Sequence, residues 1–281
     1  MEKFILEKYH GLGNDYLVLD PNLNSIKLTE ENIKKICNRN FGVGSDGILY
    51  GPILKDNKIK VKIFNPDGSE AEKSGNGVRI FSKYLLDKGY VKEKTFILST
   101  LGGDVKVEYL DKDGEKIKVA MGKVTFESEE IPVSGEKRKV INETFNFKGK
   151  EYKGTCVSIG NPHCVIPMKN ISKNLAESLG PYVENYKEFP NKINMQLLEV
   201  IDRNNIKIEI YERGAGYTLA SGSSSCAASC AAYELGLINN KVKVHMPGGI
   251  LDIEILQDKM VYMTGPVEYI CHIEMLTKNN I

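Results

Sequence analysis

Two short stretches combine backbone and side chain in a way that could do chemistry. Ser74-Gly75-Asn76-Gly77 and Ser221-Gly222-Ser223-Ser224 each open a run that reads as a helix, about 75–88 and 222–234. The start of a helix leaves N–H groups with no intrahelical partner and carries positive dipole potential, so it holds anions. Two such starts in equivalent places would suit a small carboxylate ligand. Serine is also an ordinary helix cap and glycine an ordinary entry, so either stretch alone reads equally as a plain cap.

The elements that must position these stretches occur twice. Ser221 follows Ser74 by 221 − 74 = 147 residues, Asn161 follows Asn14 by 161 − 14 = 147, and Glu212 follows Asn65 by 212 − 65 = 147. Gly249 follows Gly103 by 249 − 103 = 146. Each half reads as a strand (16–20 and 164–168), then a polar helix (30–39 and 173–179). A β-segment entering a glycine-bearing turn follows (59–64 before NPDG, 206–211 before ERGAG). Then comes the serine-capped helix, stopped by Gly89 or Gly236. Short strands close each half, at 105–110 with 116–120 and at 251–255 with 260–263. The second capped helix is small or apolar all round, which predicts burial. The expectation is an α+β fold of two similar tandem domains, each a strand-rich layer wrapped around a central helix, with the active site in the cleft between them. The first domain is placed at 1–121, with the tail 267–281 returning to it, and the second at 122–266. A linker is expected near 122–134.

Composition narrows the function classes. The chain has 281 residues, with 38 basic and 37 acidic side chains and a formal charge of +1. No basic excess points to nucleic acid or to an anionic membrane. The N-terminal apolar run is only Phe4-Ile5-Leu6, too short for the core of a signal peptide, and no stretch approaches a membrane span. A cytoplasmic location is expected. Cys37, Cys156, Cys164, Cys226, Cys230 and Cys271 read as buried thiols in a reducing compartment. No CxxC pair occurs, and His10, His163, His245 and His272 are scattered, so no metal site is expected.

Seven ordered motifs carry a family likeness. They are HGLGNDY (10–16), NFGVGSDGIL (40–49), IFNPDGSEAEKSGNGVR (63–79), GNPHCVI (160–166), FPNKINMQ (189–196), YERGAGYTLASGSSSCAA (211–228) and YMTGPV (262–267). In this order they resemble the diaminopimelate epimerase family over nearly the whole chain. The resemblance implies cofactor-independent two-base racemisation, with no pyridoxal and no metal. One thiolate takes the α-proton from one face of the substrate carbon and a thiol on the other face returns one. A helix start can lower a thiol from its ordinary ~8.5 and stabilise growing negative charge. Carried over by the motifs, Ser74 and Ser221 occupy the two catalytic cysteine positions. Gly75, Asn76, Gly222 and Ser223 would take the α-carboxylate. Asn14, Asn65, Asn161, Asn194, Glu212 and Arg213 match substrate-contacting positions, with Arg213 the partner for a distal carboxylate. His163 and Glu212 match positions that tune the thiol pair. The implied partner is a small amino acid, in a homodimeric enzyme.

The departures matter. A serine hydroxyl is a far weaker acid than a thiol and needs an adjacent base to react. The chain as written is therefore expected to be inactive or nearly so. Two identical one-atom changes suggest a deliberate Cys→Ser pair that holds substrate without turning it over; a natural ligand-binding pseudoenzyme is the alternative. Tyr217 stands where the family usually has Glu, Ser224 where a second Gly is usual, and Gly47 where some members have Gln. Gly47 and Tyr217 are accordingly candidate specificity positions. The retained asparagines and Arg213 favour diaminopimelate in lysine biosynthesis, while Tyr217 and Ser224 leave room for another amino acid, histidine first.

Overall fold

A computed structural model describes residues 2–26 and 28–277. The chain divides into two compact units, Met1–Val119 with Gly265–Ile281, and Ala120–Thr264. The expected tail extends through 278–281, which lie outside the described residues. The first unit runs β1 (Glu2–Gly11), β2 (Asn14–Leu19), α1 (Glu30–Cys37), β3 (Ile48–Lys55), β4 (Lys58–Phe64), β5 (Glu70–Ala71), α2 (Gly75–Asp87), β6 (Thr95–Thr100), β7 (Gly103–Tyr109) and β8 (Lys116–Lys123). The second runs β9 (Glu143–Phe147), β10 (Lys150–Ser158), β11 (Pro162–Pro167), α3 (Lys173–Glu184), β12 (Asn194–Asp202), β13 (Asn205–Glu212), β14 (Gly216–Thr218), α4 (Gly222–Glu234), β15 (Lys241–Met246), β16 (Gly249–Ile255) and β17 (Met260–Pro266). β18 (Glu268–Thr277) completes the first unit; β8 passes into the second unit at Ala120 and β17 returns to the first at Gly265.

The repeat is structural as well as sequential, and the fold is α+β with two similar domains. β1–β2 pair antiparallel, β2–β3 parallel, β3–β4 antiparallel and β4–β6 parallel. β10–β11, β11–β12, β12–β13 and β13–β15 repeat that order of directions. The helix offsets are 222 − 75 = 147 and 234 − 87 = 147. Each unit also gains an outer antiparallel strand: β18 on β1, and β9 on β10.

Strand alternation sorts the side chains to two faces. Leu17 and Leu19 of β2 join Ile33, Ile36 and Cys37 of α1 in one core. Tyr16, just before Leu17 and on the other face, reaches the start of α2. In the second unit Cys164, Ile166, Met195 and Leu197 pack with Ala176, Leu179 and Val183 of α3. His163 and Gln196 alternate with these, and Gln196 reaches the first turn of α4. The central strands are thus covered on both sides, which is why β2 and β11 are almost wholly buried.

α4 is buried on nearly every side, from Ser224 to Ala232. Its interior serines satisfy themselves on the preceding turn, Ser225 Oγ donating to Ser221 O at 2.9 Å and Ser229 Oγ to Ser225 O at 2.8 Å. α2 and α4 both end before a glycine with left-handed φ, Gly89 at 72° and Gly236 at 71°. The next residues close the turn, Tyr90 N onto Leu85 O and Leu237 N onto Ala232 O.

Two sequence expectations shift, and one unassigned run gains a structure. The segment 122–134 is no free linker: Val124, Phe126, Ile131 and Val133 are buried, and Thr125 bridges to Ser158 within the second unit. Four apolar side chains at such short spacing are worth more in a core than in water. The helix expected to end at 179 runs on to Glu184, with Pro181 inside it. The N-terminal run Phe4–Leu6, given no element from the sequence, lies in the long strand β1, with Phe4 and Leu6 buried.

Candidate active site

Ser74 caps α2 with β-region angles, φ −135° and ψ 119°, and its Oγ accepts from Gly77 N at 3.0 Å. Ser221 caps α4 in the same way, φ −148° and ψ 125°, with Ser224 N at 3.4 Å. The N–H groups of Gly75 and Asn76, and of Gly222 and Ser223, have no carbonyl within their helices to reach, which leaves them for an anion. The Tyr16 hydroxyl lies 3.3 Å from Ser74 Oγ. Among the described residues, no His, Asp, Glu or Lys side chain lies within hydrogen-bond distance of either serine hydroxyl.

Each capped helix is tied to an asparagine at the start of a central strand, Asn14 in the first position of β2 and Asn161 just before β11. In the first unit Asn76 Nδ2 donates to Asn14 Oδ1 at 3.1 Å, and Asn14 Nδ2 donates to Asp46 Oδ2 at 2.9 Å. The fully buried Arg79 donates to Asn76 Oδ1 at 2.9 Å. Arg39 clamps Asp46 and Asp15 together, at 2.7 and 2.6 Å. Burial alone would raise the Asp15 carboxyl, but Arg39 and Lys8 overcome it and hold it low. In the second unit the side chains of Asn161 and Ser223 lie 3.4 Å apart, and 161 − 14 = 223 − 76 = 147. His163 Nε2 lies 3.0 Å from Asn161 Oδ1. Complete burial drives the His163 pKa down to about 3; the Gln196 side chain opposes this and Arg213 adds to it. His163 is a neutral imidazole at ordinary pH.

The remaining expected residues are held by their own turns. Asn65 donates to Ser69 Oγ at 3.0 Å, closing the Asn65–Ser69 turn. Its repeat partner Glu212 accepts from Thr218 Oγ1 at 2.7 Å. Asn194 is buried, donating to Pro162 O at 2.7 Å and accepting from Arg213 N at 2.9 Å, so it fixes the backbone under Arg213. The Arg213 side chain is exposed, with one donor on Asn191 O at 3.0 Å. Tyr217 donates to Glu209 at 2.7 Å, and Lys173 Nζ sits 5.2 Å from its ring centre. Gly47 has no room for a side chain: a Cβ would strike the Phe64 carbonyl and come within 2.8 Å of the Tyr16 ring. No group of three or more His, Cys, Asp or Glu among the described residues could hold a metal. No helix of the described residues is long and apolar enough to cross a membrane.

Sequence reasoning passed over Tyr16, Asp46, Arg79 and Gln196, and it marked Ser224 only as a departure from the family, without its contact to Gln196. The repeat held the signal for two of them: 163 − 147 = 16 pairs Tyr16 with His163, and 224 − 147 = 77 pairs Ser224 with Gly77.

The family model for diaminopimelate epimerase matches residues 6–127 and 155–270. The chain belongs to the diaminopimelate epimerase family. It is 51% identical to diaminopimelate epimerase 2 of Nostoc sp., over 96% of this chain and 95% of that protein. It is 40% identical to the diaminopimelate epimerase of Methanococcus maripaludis, over 92% of this chain and 95% of that one. Among solved structures, a hydroxyproline epimerase from Agrobacterium vitis aligns with a TM-score of 0.70 over 97% of this chain and 92% of that one. At 11% identity that likeness shows a shared fold alone. Both serine-capped helix starts lie within the matched segments of the diaminopimelate epimerase family.

Proposed function

We propose that this chain has the scaffold of a pyridoxal-independent, two-base epimerase for LL-diaminopimelate, and that with serine at 74 and 221 it binds this substrate without turning it over. The observation that carries the reading is the pair of serine-capped helix starts, each tied to an asparagine at the same offset. In this reading both starts serve one substrate. The N–H groups of Gly75, Asn76, Gly222 and Ser223 take the α-carboxylate. With cysteine at the two positions, one thiolate removes the α-proton, and the electron pair of the broken C–H bond spreads into the carboxylate. The opposite thiol then gives its proton to the other face of the carbon. Helix starts favour each negative species along that path. Serine cannot enter it, because its hydroxyl is too weak an acid and no base adjoins it. The exposed Arg213 guanidinium, with one donor engaged, keeps its fork for the distal carboxylate.

The test restores both cysteines, Ser74→Cys with Ser221→Cys, and follows α-proton exchange by NMR in D2O with LL-diaminopimelate and with L-histidine. Exchange and inversion of diaminopimelate are expected for the restored chain. Binding without exchange is expected for the chain as written, measured by calorimetry. Exchange of histidine alone would move the substrate to another amino acid. Neither exchange nor binding would overturn the reading.

A further inference from the structure

The second unit contains a polar cluster whose hydrogen bonds do not close as the heavy atoms are named. His163 Nδ1 and Gln196 Oε1 are buried and lack a partner. Gln196 stands opposite Val165 on the neighbouring strand, two residues along from His163 and on the same face, and its side chain acts on the His163 ring. If His163 carries its proton on Nε2 and donates to Asn161 Oδ1, both leftover atoms are acceptors and neither can serve the other. Two unsatisfied buried polar atoms in one cluster are costly. Two rearrangements would close it. One turns the Gln196 amide so that it donates to Nδ1 and accepts from Ser224. The other moves the ring proton to Nδ1, which gives Gln196 Oε1 a donor and keeps Gln196 Nε2 on Ser224 Oγ. The polarity of the repeat favours the second. The ring Nε2 then becomes an acceptor and needs an N–H. Asn161 supplies one if its amide is turned end for end, which leaves its shape unchanged. Its carbonyl oxygen then faces Ser223 Oγ, whose hydroxyl proton is available to donate.

The first unit supports this polarity independently. There the direction is set by groups of fixed character: Arg79 only donates and Asp46 only accepts. Between them Asn76 must donate to Asn14, and Asn14 must donate onward. The repeat places Ser223 at 76 + 147 and Asn161 at 14 + 147. With the Asn161 amide reversed, the helix residue donates to the asparagine and the asparagine donates onward in both units.

We infer that His163 is the Nδ1–H imidazole, that Asn161 turns its NH2 to His163 and its carbonyl to Ser223, and that Gln196 is the positioning residue that sets both. The relay then runs one way, from Ser223 through Asn161 and His163 to Gln196, and returns to the first turn of α4 through Gln196 Nε2 donating to Ser224 Oγ at 3.0 Å. Burial supports a neutral ring, since it depresses the His163 pKa to about 3. Its consequence rests on the proposed substrate: Asn161 and Ser223 stand in one orientation before the ligand arrives.

The test is long-range 1H–15N correlation on the full chain labelled at histidine nitrogen. The His163 signals are assigned as those missing from the spectrum of His163→Gln. A protonated Nδ1 is expected, and Gln196→Met should switch the ring to Nε2–H. An Nε2–H ring in the unsubstituted chain overturns the inference without any variant, as does an Nδ1–H ring that persists in Gln196→Met. Calorimetry with LL-diaminopimelate reads the positioning role, and Gln196→Met should weaken binding roughly tenfold, about the net worth of one buried hydrogen bond. Unchanged affinity beside a switched ring removes that role. If the unsubstituted chain fails to bind, the substrate reading falls and the positioning role with it, while the ring proton is still read by NMR.

Discussion

Replacing the capping serines one at a time by cysteine should give two thiols of different acidity, Cys at 74 the stronger. The helix starts are alike in length, and each should contribute about 0.3–1 kcal/mol to a negative charge. At 1.36 kcal/mol per pKa unit this lowers a thiol from ~8.5 by roughly 0.2–0.7. The surroundings then separate the two. Position 74 has a Gly77 N–H at 3.0 Å and the Tyr16 hydroxyl at 3.3 Å, both able to donate to a thiolate. Position 221 has one N–H at 3.4 Å and is only 6% exposed, so burial works against its charge. Hydrogen bonds to charged groups are worth about 1.5–3 kcal/mol, so even one of the two brings the first thiol to roughly 6–7, while the longer contact and burial leave the second near 8 or above. The pH profile of iodoacetamide alkylation on Ser74→Cys and Ser221→Cys measures both, with the unsubstituted chain as background. Five of its own cysteines are buried and Cys271 is partly exposed, so that background is small. A midpoint for position 74 at or above 8.5, or one above that for position 221, would refute the electrostatic argument for these helix starts without reference to any substrate.

Two further outcomes follow from packing and from burial. Gly180 lies inside α3 with the Tyr211 ring against it, so a Cβ there would enter the ring's contact distance. Helix propensity alone would make Gly180→Ala stabilising by about 1 kcal/mol, but overpacking costs about 1–3, so the urea midpoint should fall with an unchanged slope; a rise would show that Tyr211 yields freely. His163 is neutral in the fold down to about 3 and takes its proton near 6.5 when unfolded, so its share of stability is whole above 6.5 and is lost as pH falls toward 3. His163→Gln removes that proton uptake, and its urea midpoint should decline less between pH 7 and 4.5 than that of the unsubstituted chain; an equal decline would place the proton elsewhere.

The repeat, the two capped helices and their glycine stops were legible because each is written locally. A serine before a helical run and a glycine after it state their roles within a few residues, and an offset of 147 survives low identity because turns and caps tolerate few residue types. The seven motifs identified the family for the same reason. Strands written among charges were hidden. β1 sets Phe4 and Leu6 among Lys3, Ile5 and Glu7, and β18 pairs with it from the other end of the sequence. The segment 122–134 read as a linker because its buried side chains are spaced irregularly, and only the second unit's core shows where they go. The support of the site was the least legible part. Asp46, Arg79, Gln196 and Ser224 act through partners 28 to 32 or three residues away in sequence, by hydrogen bonds whose direction depends on which neighbour can only donate or only accept. The sequence by itself determined where helices begin, which residues could meet an anion, and that the design occurs twice. Tertiary structure alone decided that His163 is neutral and that Asn14 is locked between fixed donors and acceptors, because desolvation and hydrogen-bond polarity are properties of what surrounds a side chain.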